Sequence, residues 1–351
     1  MFSSLIAAAV LLPAVANAAG KSTIDQIAAK YGLSTNYNFT QPTDALNSQA
    51  AQKFLVSNWA LNGDHIDFGL NDISFVKDPA GDAGNAVLSI NYPKGSYSGQ
   101  TGGTQFYAQP LNASSSTPHL AGNASSDGQF ERMLLAYDIY FDQGFQWNLG
   151  GKLPGLRGGP DVWGCSGGHQ SDGKSCFSTR LMWRTSGNGE VYAYIPTTMK
   201  NFCTQNSYII CNSDFGTSIE RSSFGFQSGK WQTIWLYVAL NEVGIANGEV
   251  SIWYNGVNAF SLTNLELRAS GSIESIGGLY FSTFFGGYDS SWASPSSQNS
   301  YYRNIRMIGG LGAANGTGQP SAAPTTIASP TLGVVCGAAL VSVLGLASYL
   351  F

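Results

Sequence analysis

The feature that most constrains this chain is a series of short β-type segments running from about Ile73 to about Ile308. Each segment is rich in β-branched and aromatic residues and is bounded by Gly, Asn, Asp or Pro, as strands joined by turns are. Asn255-Gly256 is a strong signal for a two-residue hairpin turn. The pattern predicts a β-sandwich. The clearest segments are residues 86–92, 133–141, 178–184, 191–195, 231–240 and 250–254.

Composition supports this all-β prediction. The chain has 351 residues, of which 43 are glycine, 13% are aromatic and only 11% are charged. A helical bundle needs more charge on its exposed faces, and a disordered chain lacks this many aromatic residues. Two short helices are expected before the strands. The first covers residues 22–31, with Ser22 as N-cap, Asp25 in the first turn and Gly32 after the end, and the second covers residues 44–54.

The net charge is −4, which argues against general binding of nucleic acid, because that requires a basic face. An anionic partner would have to be bound by a local basic patch. Residues 150–203 contain six basic and three acidic residues, so this part of the chain can provide one.

Both ends of the chain carry targeting patterns. The apolar run from Leu5 to Val15, followed by Ala16-Asn17-Ala18, predicts a signal peptide over residues 1–18. Residues 332–351 carry no charge and favour a glycolipid-anchor signal, with Ser321 as the anchor site. Asn315 is a second candidate site, and a transmembrane tail is the alternative. We expect a domain over residues 19–308, a Gly/Ser/Thr/Pro-rich linker over 309–331, and a protein held at the outer cell surface, touching the membrane only through its anchor.

Secretion affects how the cysteines are interpreted, because disulfides persist outside the cell. Cys336 lies in the C-terminal tail, and nearest-neighbour pairing of the other four predicts Cys165–Cys176 and Cys203–Cys211. A zinc site is the alternative, although there is no C-x-x-C motif. Glycosylation is expected at the N-x-[ST] sequons. They begin at Asn38, Asn112, Asn123 and Asn315.

The most unusual local motif is Gly150-Gly151-Lys152-Leu153-Pro154-Gly155-Leu156. Glycines around one lysine predict a loop or strand end that comes close to a ligand, because no Cβ blocks the approach. A structural turn with an exposed lysine is the alternative. A phosphate-binding loop is disfavoured, because Lys152 is followed by Leu153 and not by Ser or Thr.

The two predicted strands that follow this motif carry further candidate site residues. In residues 178–184, a first set alternates with Thr179, Leu181 and Trp183 and predicts one polar, basic face. This set is Ser178, Arg180, Met182 and Arg184. Tyr192 and Tyr194 share a face of the next strand, which is expected to pair with the first. Cations and aromatic rings on one surface are suited to an anionic polysaccharide.

These motifs resemble polysaccharide lyase family 14 of the fungal and algal-virus type, and more distantly the glucuronan lyases. The resemblance rests on GGKLPGL, Ser178-x-Arg180, Tyr192-x-Tyr194 and Phe284-Phe285-Gly286-Gly287 with Trp292. It implies a β-jelly roll that cleaves a glucuronan-type or alginate-type polymer by β-elimination. No cluster of metal ligands is visible in the sequence, so we expect catalysis without a metal or cofactor. We expect a monomer. The implied site comprises Lys152, Arg180, Tyr192 and Tyr194 as catalytic residues, with Ser178 and Arg184 binding substrate.

Chemistry suggests how the roles divide. Arg180 is suited to neutralise the uronate carboxylate, which lets charge develop when the C5 proton leaves. Lys152 and one tyrosine are expected to act together as base and acid, in an order that the sequence leaves open. His169 is an alternative base, but its position between Cys165 and Cys176 favours an ordinary loop histidine.

Two other functions stay open at this point. A glycoside hydrolase on the same fold would need two carboxylates at the scissile bond, and the E-x-D-x-x-E strand pattern of sandwich-type glucanases is missing. A non-catalytic lectin would use the same basic face.

Overall fold

The computed structural model describes residues 20–82, 84–111, 130–204, 207–317 and 319–320. Several predicted features lie outside these residues: the signal peptide at 1–18, Asn112, Asn123, the linker from Ser321 onward, Cys336 and the tail at 332–351. None of the helices within the described residues is long and apolar enough to cross a membrane.

Strands dominate the chain and helices are short. The helices are α1 (Ile24–Lys30), α2 (Ser48–Asn58) and α3 (Ser98–Thr101), with 3₁₀ turns at Asn62–Asp64, Leu70–Asp72, Thr185–Gly187 and Ser290–Trp292. The strands are β1 (Thr35–Asn38), β2 (Ile73–Val76), β3 (Val87–Tyr92), β4 (Thr104–Ala108), β5 (Phe130–Phe141), β6 (Gly150–Gly158), β7 (Phe177–Arg184), β8 (Asn188–Tyr194), β9 (Ile209–Ile210), β10 (Thr217–Gly225), β11 (Gln232–Ala239), β12 (Ile245–Ala246), β13 (Gly248–Tyr254), β14 (Val257–Leu265), β15 (Ile276–Phe285), β16 (Gln298–Leu311) and β17 (Gln319–Pro320).

The strands form two large antiparallel sheets and one small one. The first has eight strands in the order β14-β13-β11-β5-β16-β3-β2, with β1 also pairing with β16. The second has seven strands in the order β4-β15-β6-β7-β8-β10-β9, and β12 pairs with β17. The two large sheets pack face to face as a β-jelly-roll sandwich, which confirms the predicted fold class.

The core lies between the two large sheets. Leu135 and Ile139 of β5 point into it from the first sheet, and Leu153 of β6 and Leu181 of β7 from the second. Because side chains alternate along a strand, the residues between them in the second sheet face outward and are available for a site.

The first helix begins one residue later than predicted. Its N-cap is Thr23 and not Ser22, because Thr23 and Gln26 bond reciprocally to each other's backbone N–H in a capping box. The second helix is also displaced from the predicted residues 44–54, since Asn47 caps it and it ends at Asn58.

The predicted hairpin at Asn255-Gly256 is confirmed. It joins β13 to β14, and both residues have a positive φ, as this turn requires. The last long strand, β16, continues past the expected boundary at Ile308 to Leu311. Ala314 then donates its backbone N–H to Leu240, so the start of the predicted linker packs on the sandwich.

The glycine-rich motif begins at the first residue of β6 and lies within that strand, so of the predicted loop or strand end it forms the strand end. A Cβ on Gly155 would lie 2.0 Å from the carbonyl oxygen of Thr179, and one on Gly151 would lie 2.1 Å from the ring of Trp183. The glycines therefore bring β6 close to its neighbour β7, and the expectation that they face a ligand is wrong. Pairing shifts register between Leu153 and Gly155, which places a bulge at Pro154.

Both predicted disulfides are confirmed. Cys165–Cys176 closes the loop between β6 and β7, and Cys203–Cys211 closes the loop between β8 and β10. Because all four sulfurs are in disulfides, the alternative of a zinc site on these cysteines is wrong.

Candidate active site

A groove of about 530 Å³ lies on the outer face of the seven-stranded sheet. Four of its described lining residues are basic, and none of them is acidic. The lining consists of Phe68, Ser98, Gly99, Gln105, Lys152, Ser166, Gly167, Arg180, Met182, Arg184, Tyr192, Tyr194, Ile210, Asn212, Phe215, Gly216, Ser218, Arg221, Tyr280, Phe284, Gly287, Tyr288 and Trp292.

Lys152 lies at the floor of this groove and is only 8% exposed. Its Nζ donates to Sδ of Met182 at 3.1 Å and lies 3.9 Å from the centre of the Tyr192 ring. Burial, followed by repulsion from Arg180 and Arg184, lowers the pKa of Lys152 well below its usual value. The alternative of an exposed lysine on a structural turn is therefore wrong, and the site favours an uncharged amine.

Arg180 is buried one strand away, on β7. Its Nη1 donates to Oγ of Ser282 at 3.2 Å, and its guanidinium carbon lies 4.4 Å from the centre of the Tyr280 ring. Its Nε is buried and has no hydrogen-bond partner among the described residues. Because an unsatisfied buried donor is costly, this atom indicates a place for an anionic ligand.

The carboxylate whose charge acts on Lys152 belongs to Glu190, and other partners occupy both of its oxygens. Glu190 is buried, and its Oε1 accepts from Arg184 at 2.8 Å while its Oε2 accepts from Arg221 at 2.7 Å and from Ser218 at 2.6 Å. Burial raises the pKa of Glu190, but Arg184, Ser218 and Arg221 outweigh burial and hold the pKa below its usual value. Glu190 therefore stays ionised and fixes the two arginines.

Tyr192 and Tyr194 lie side by side on β8, with ring centres 6.0 Å apart. Burial is the main cause that raises the pKa of Tyr192 to about 12, so its hydroxyl stays protonated at neutral pH. The hydroxyl oxygen of Tyr194 accepts the backbone N–H of Gly168 at 3.1 Å. Gly168 belongs to the loop closed by Cys165–Cys176, which therefore orients this tyrosine.

The predicted pairing of the two site strands is confirmed, since Arg180 lies opposite Tyr192 in the register of β7 and β8. Five of the six predicted site residues line the groove. Ser178 does not, because its hydroxyl donates to the carbonyl oxygen of Cys165 at 2.7 Å. His169 is exposed in the same loop and is also outside the lining.

Sequence reasoning missed a group of residues that positions Arg180. Oε1 of Gln105 accepts from Ser282 at 2.9 Å and from Tyr280 at 3.2 Å, and Nε2 of Gln105 donates to Asp67 at 3.1 Å. The sequence carries one signal for this group, because Tyr280 and Ser282 are two residues apart on β15 and therefore share a face of the strand. Gln105 lies on an edge strand far away in sequence, and only the strand order brings it here.

The fold and the groove together define a class of protein, a jelly-roll protein with a basic groove that is suited to an acidic polysaccharide and contains a buried amine. A two-carboxylate glycosidase site is not present among the described groove residues. Within the same residues, no group of three or more His, Cys, Asp or Glu side chains is placed to hold a metal ion.

The chain belongs to polysaccharide lyase family 14, because residues 80–305 match the family described as Polysaccharide lyase 14. It is therefore a polysaccharide lyase. Enzymes of this kind eliminate across a bond next to a uronate carboxyl group, so its substrate is a uronic-acid polymer. No curated protein sequence matches the chain.

Solved structures agree with this family. A PL-14 alginate lyase from Aplysia kurodai is 31% identical, with a TM-score of 0.62 over 77% of this chain and 100% of that one. An alginate lyase from a Chlorella virus is 22% identical, with a TM-score of 0.56 over 76% and 99%. A glucuronan lyase from Trichoderma reesei is 11% identical, with a TM-score of 0.41 over 69% and 88%. That last likeness is too distant to bear on substrate.

We expect the substitution Lys152→Met to raise the melting temperature by a few degrees, because burying the amine costs on the order of 1 kcal/mol or more. The folded-state pKa of Lys152 lies below that of the unfolded chain. This cost is therefore largest below the lowered pKa and disappears as pH rises towards the usual lysine value of about 10.4.

Calorimetry of both proteins at about pH 6 and about pH 10 checks this expectation. Lys53→Met, at an exposed position on α2, is the matched control and should leave the melting temperature unchanged. A gain for Lys152→Met that is equal at both pH values, or no gain at all, contradicts the expectation.

Proposed function

We propose that this protein cleaves alginate by β-elimination, with Lys152 as the base and Tyr194 as the acid. The observation that carries the proposal is a groove whose described lining holds four basic and no acidic residues around one buried amine. Alginate is favoured over glucuronan by the 31% identical relative from Aplysia kurodai, which is an alginate lyase.

Arg180 is proposed to receive the uronate carboxylate. Its Nε lacks a partner among the described residues, and its Nη1 is fixed by Ser282. A guanidinium can bond a carboxylate through two parallel donors, which neutralises the charge that develops when the adjacent carbon loses its proton.

Lys152 is proposed to take the C5 proton. A base must be unprotonated before the reaction, and burial together with Arg180 and Arg184 lowers the pKa of this amine. The ring of Tyr192 supports the amine at 3.9 Å and stabilises the ammonium ion that forms.

Tyr194 is proposed to protonate the leaving O4 oxygen. The N–H of Gly168 already donates to its hydroxyl oxygen, so the hydroxyl keeps its own proton to give away. The same N–H stabilises the negative oxygen left after the transfer. The C5–H and C4–O bonds break and a C4=C5 double bond forms. The C5 proton goes to Lys152, and the hydroxyl proton of Tyr194 goes to the leaving O4 oxygen.

We also propose that the protein is secreted and held at the outer cell surface by a glycolipid anchor at Ser321, with a signal peptide over residues 1–18. Two disulfides are compatible with an oxidising compartment, and two predicted glycosylation sites, Asn38 and Asn315, are exposed. Release of the protein from cells by a phosphatidylinositol-specific phospholipase tests the anchor, and retention after treatment contradicts it.

Incubation with alginate should produce the ultraviolet absorbance of an unsaturated uronate, at a higher rate than with glucuronan. We expect Lys152→Ala and Tyr194→Phe each to lower kcat by roughly 10²–10⁴. Tyr192→Phe keeps the ring under the amine and should lower kcat by less than about tenfold.

Lys174→Ala, at an exposed position in the Cys165–Cys176 loop, is the control and should retain full activity. Retention on immobilised alginate without any absorbance contradicts the enzymatic proposal. Full activity of Lys152→Ala removes the role given to this amine.

A further inference from the structure

Two aromatic side chains of the groove have no evident role in folding. Tyr288 is 77% exposed and Phe215 is 37% exposed, and neither belongs to a hydrophobic core cluster of the described residues. Their rings are parallel within 8°, and the ring centres lie 6.4 Å apart. Exposed aromatic surface placed within a groove is typical of a ligand-binding position.

The two rings come from opposite sides of the groove. Phe215 precedes β10 and Tyr288 follows β15, and three strands separate β10 from β15 in the sheet. Strands spaced by about 4.8 Å place these two about 19 Å apart. Because the ring centres are only 6.4 Å apart, the two loops must reach towards each other across the sheet face.

Neighbouring residues place both loops close to the Lys152–Tyr192 pair. A Cβ on Gly216 would lie 2.8 Å from Cε1 of Tyr192, and a Cβ on Gly286 would lie 3.6 Å from Nζ of Lys152. The backbone of each loop therefore passes close to one member of the pair, and both aromatic rings line the same groove as that pair.

The loop that carries Phe215 is held in place before any ligand arrives. The Cys203–Cys211 disulfide closes the segment leading to it, and Nε2 of Gln170 donates to the carbonyl oxygen of Phe215 at 2.6 Å. On the other side, the carboxylate of Asp289 caps the 3₁₀ turn that follows Tyr288. Preorganised rings bind a ligand at a lower entropic cost than mobile ones.

We propose that Phe215 and Tyr288 form an aromatic bridge that stacks on a uronate ring next to the cleaved bond. The carbon-bound hydrogens of a sugar ring pack on an aromatic face, while Arg180 in the same groove is proposed to receive a uronate carboxylate. The bridge rests on the proposed function in one respect, namely that the ligand is a uronate chain.

Binding can be measured without cleavage in the Lys152→Ala protein, using calorimetric titration with an alginate tetrasaccharide and a glucuronan tetrasaccharide. On this background, Tyr288→Ala and Phe215→Ala should each raise Kd about tenfold for the tetrasaccharide that binds more tightly. Tyr288→Phe should leave Kd within about twofold, because the ring is kept. The double substitution to alanine should raise Kd by less than the product of the two single fold-changes, because both rings contact one sugar.

Val257→Ala, at an exposed position in the β13–β14 hairpin of the other sheet, is the control and should leave Kd unchanged. Unchanged Kd in both alanine variants overturns the bridge even if the wild type cleaves alginate. A tenfold loss of binding without cleavage by the wild type supports the bridge and overturns the proposed function. If neither tetrasaccharide binds to the Lys152→Ala protein, the bridge is also overturned.

Discussion

The site depends on a buried amine that has no carboxylate of its own. An ammonium ion in this position would lie beside Arg180 and Arg184, so both desolvation and repulsion act against its charge. Glu190 could have compensated, but Arg184 and Arg221 hold it in two ion pairs. The proposed base, Lys152, and the proposed carboxylate-binding cation, Arg180, therefore lie in one groove without an ion pair between Lys152 and Glu190.

This arrangement follows from how closely β6 approaches β7. Glycines in β6 leave room for the backbone and the Trp183 ring of β7, so Lys152 and Arg180 lie on neighbouring strands with both side chains turned outward. Larger residues at Gly151 or Gly155 would separate the two strands and, with them, Lys152 and Arg180. The glycines of the motif therefore have a structural role, whereas its lysine is the proposed base.

Much of this could be predicted from the sequence. The alternation of residues 178–184 correctly placed Arg180 and Arg184 on the outer face, and cysteine spacing gave both disulfides. Local patterns do not reveal strand order, and the partners of Arg180 come from β15 and the edge strand β4. For the same reason, the contact between the rings of Phe215 and Tyr288 could not be predicted, because three strands lie between β10 and β15.

Two smaller differences between the predictions and the structure, at the first N-cap and at Ser178, have local causes. Ser22 and Thr23 are both good N-cap residues, and Thr23 is selected because Gln26 lies three positions later and completes the capping box. The sequence predicts Ser178 in the groove because Ser178 and Arg180 share one face of β7. The Cys165–Cys176 loop covers it, and its hydroxyl bonds to the backbone of that loop.

The protonation state of Lys152 is the central claim, and NMR titration of the lysine side chains tests it most directly. Comparison with Lys152→Ala assigns the signal, and Arg184→Gln removes one of the charges that repel the ammonium ion. We predict that the pKa of Lys152 lies well below the usual lysine value and that it rises in Arg184→Gln. A pKa of Lys152 at the usual value of about 10.4 would contradict its role as the base.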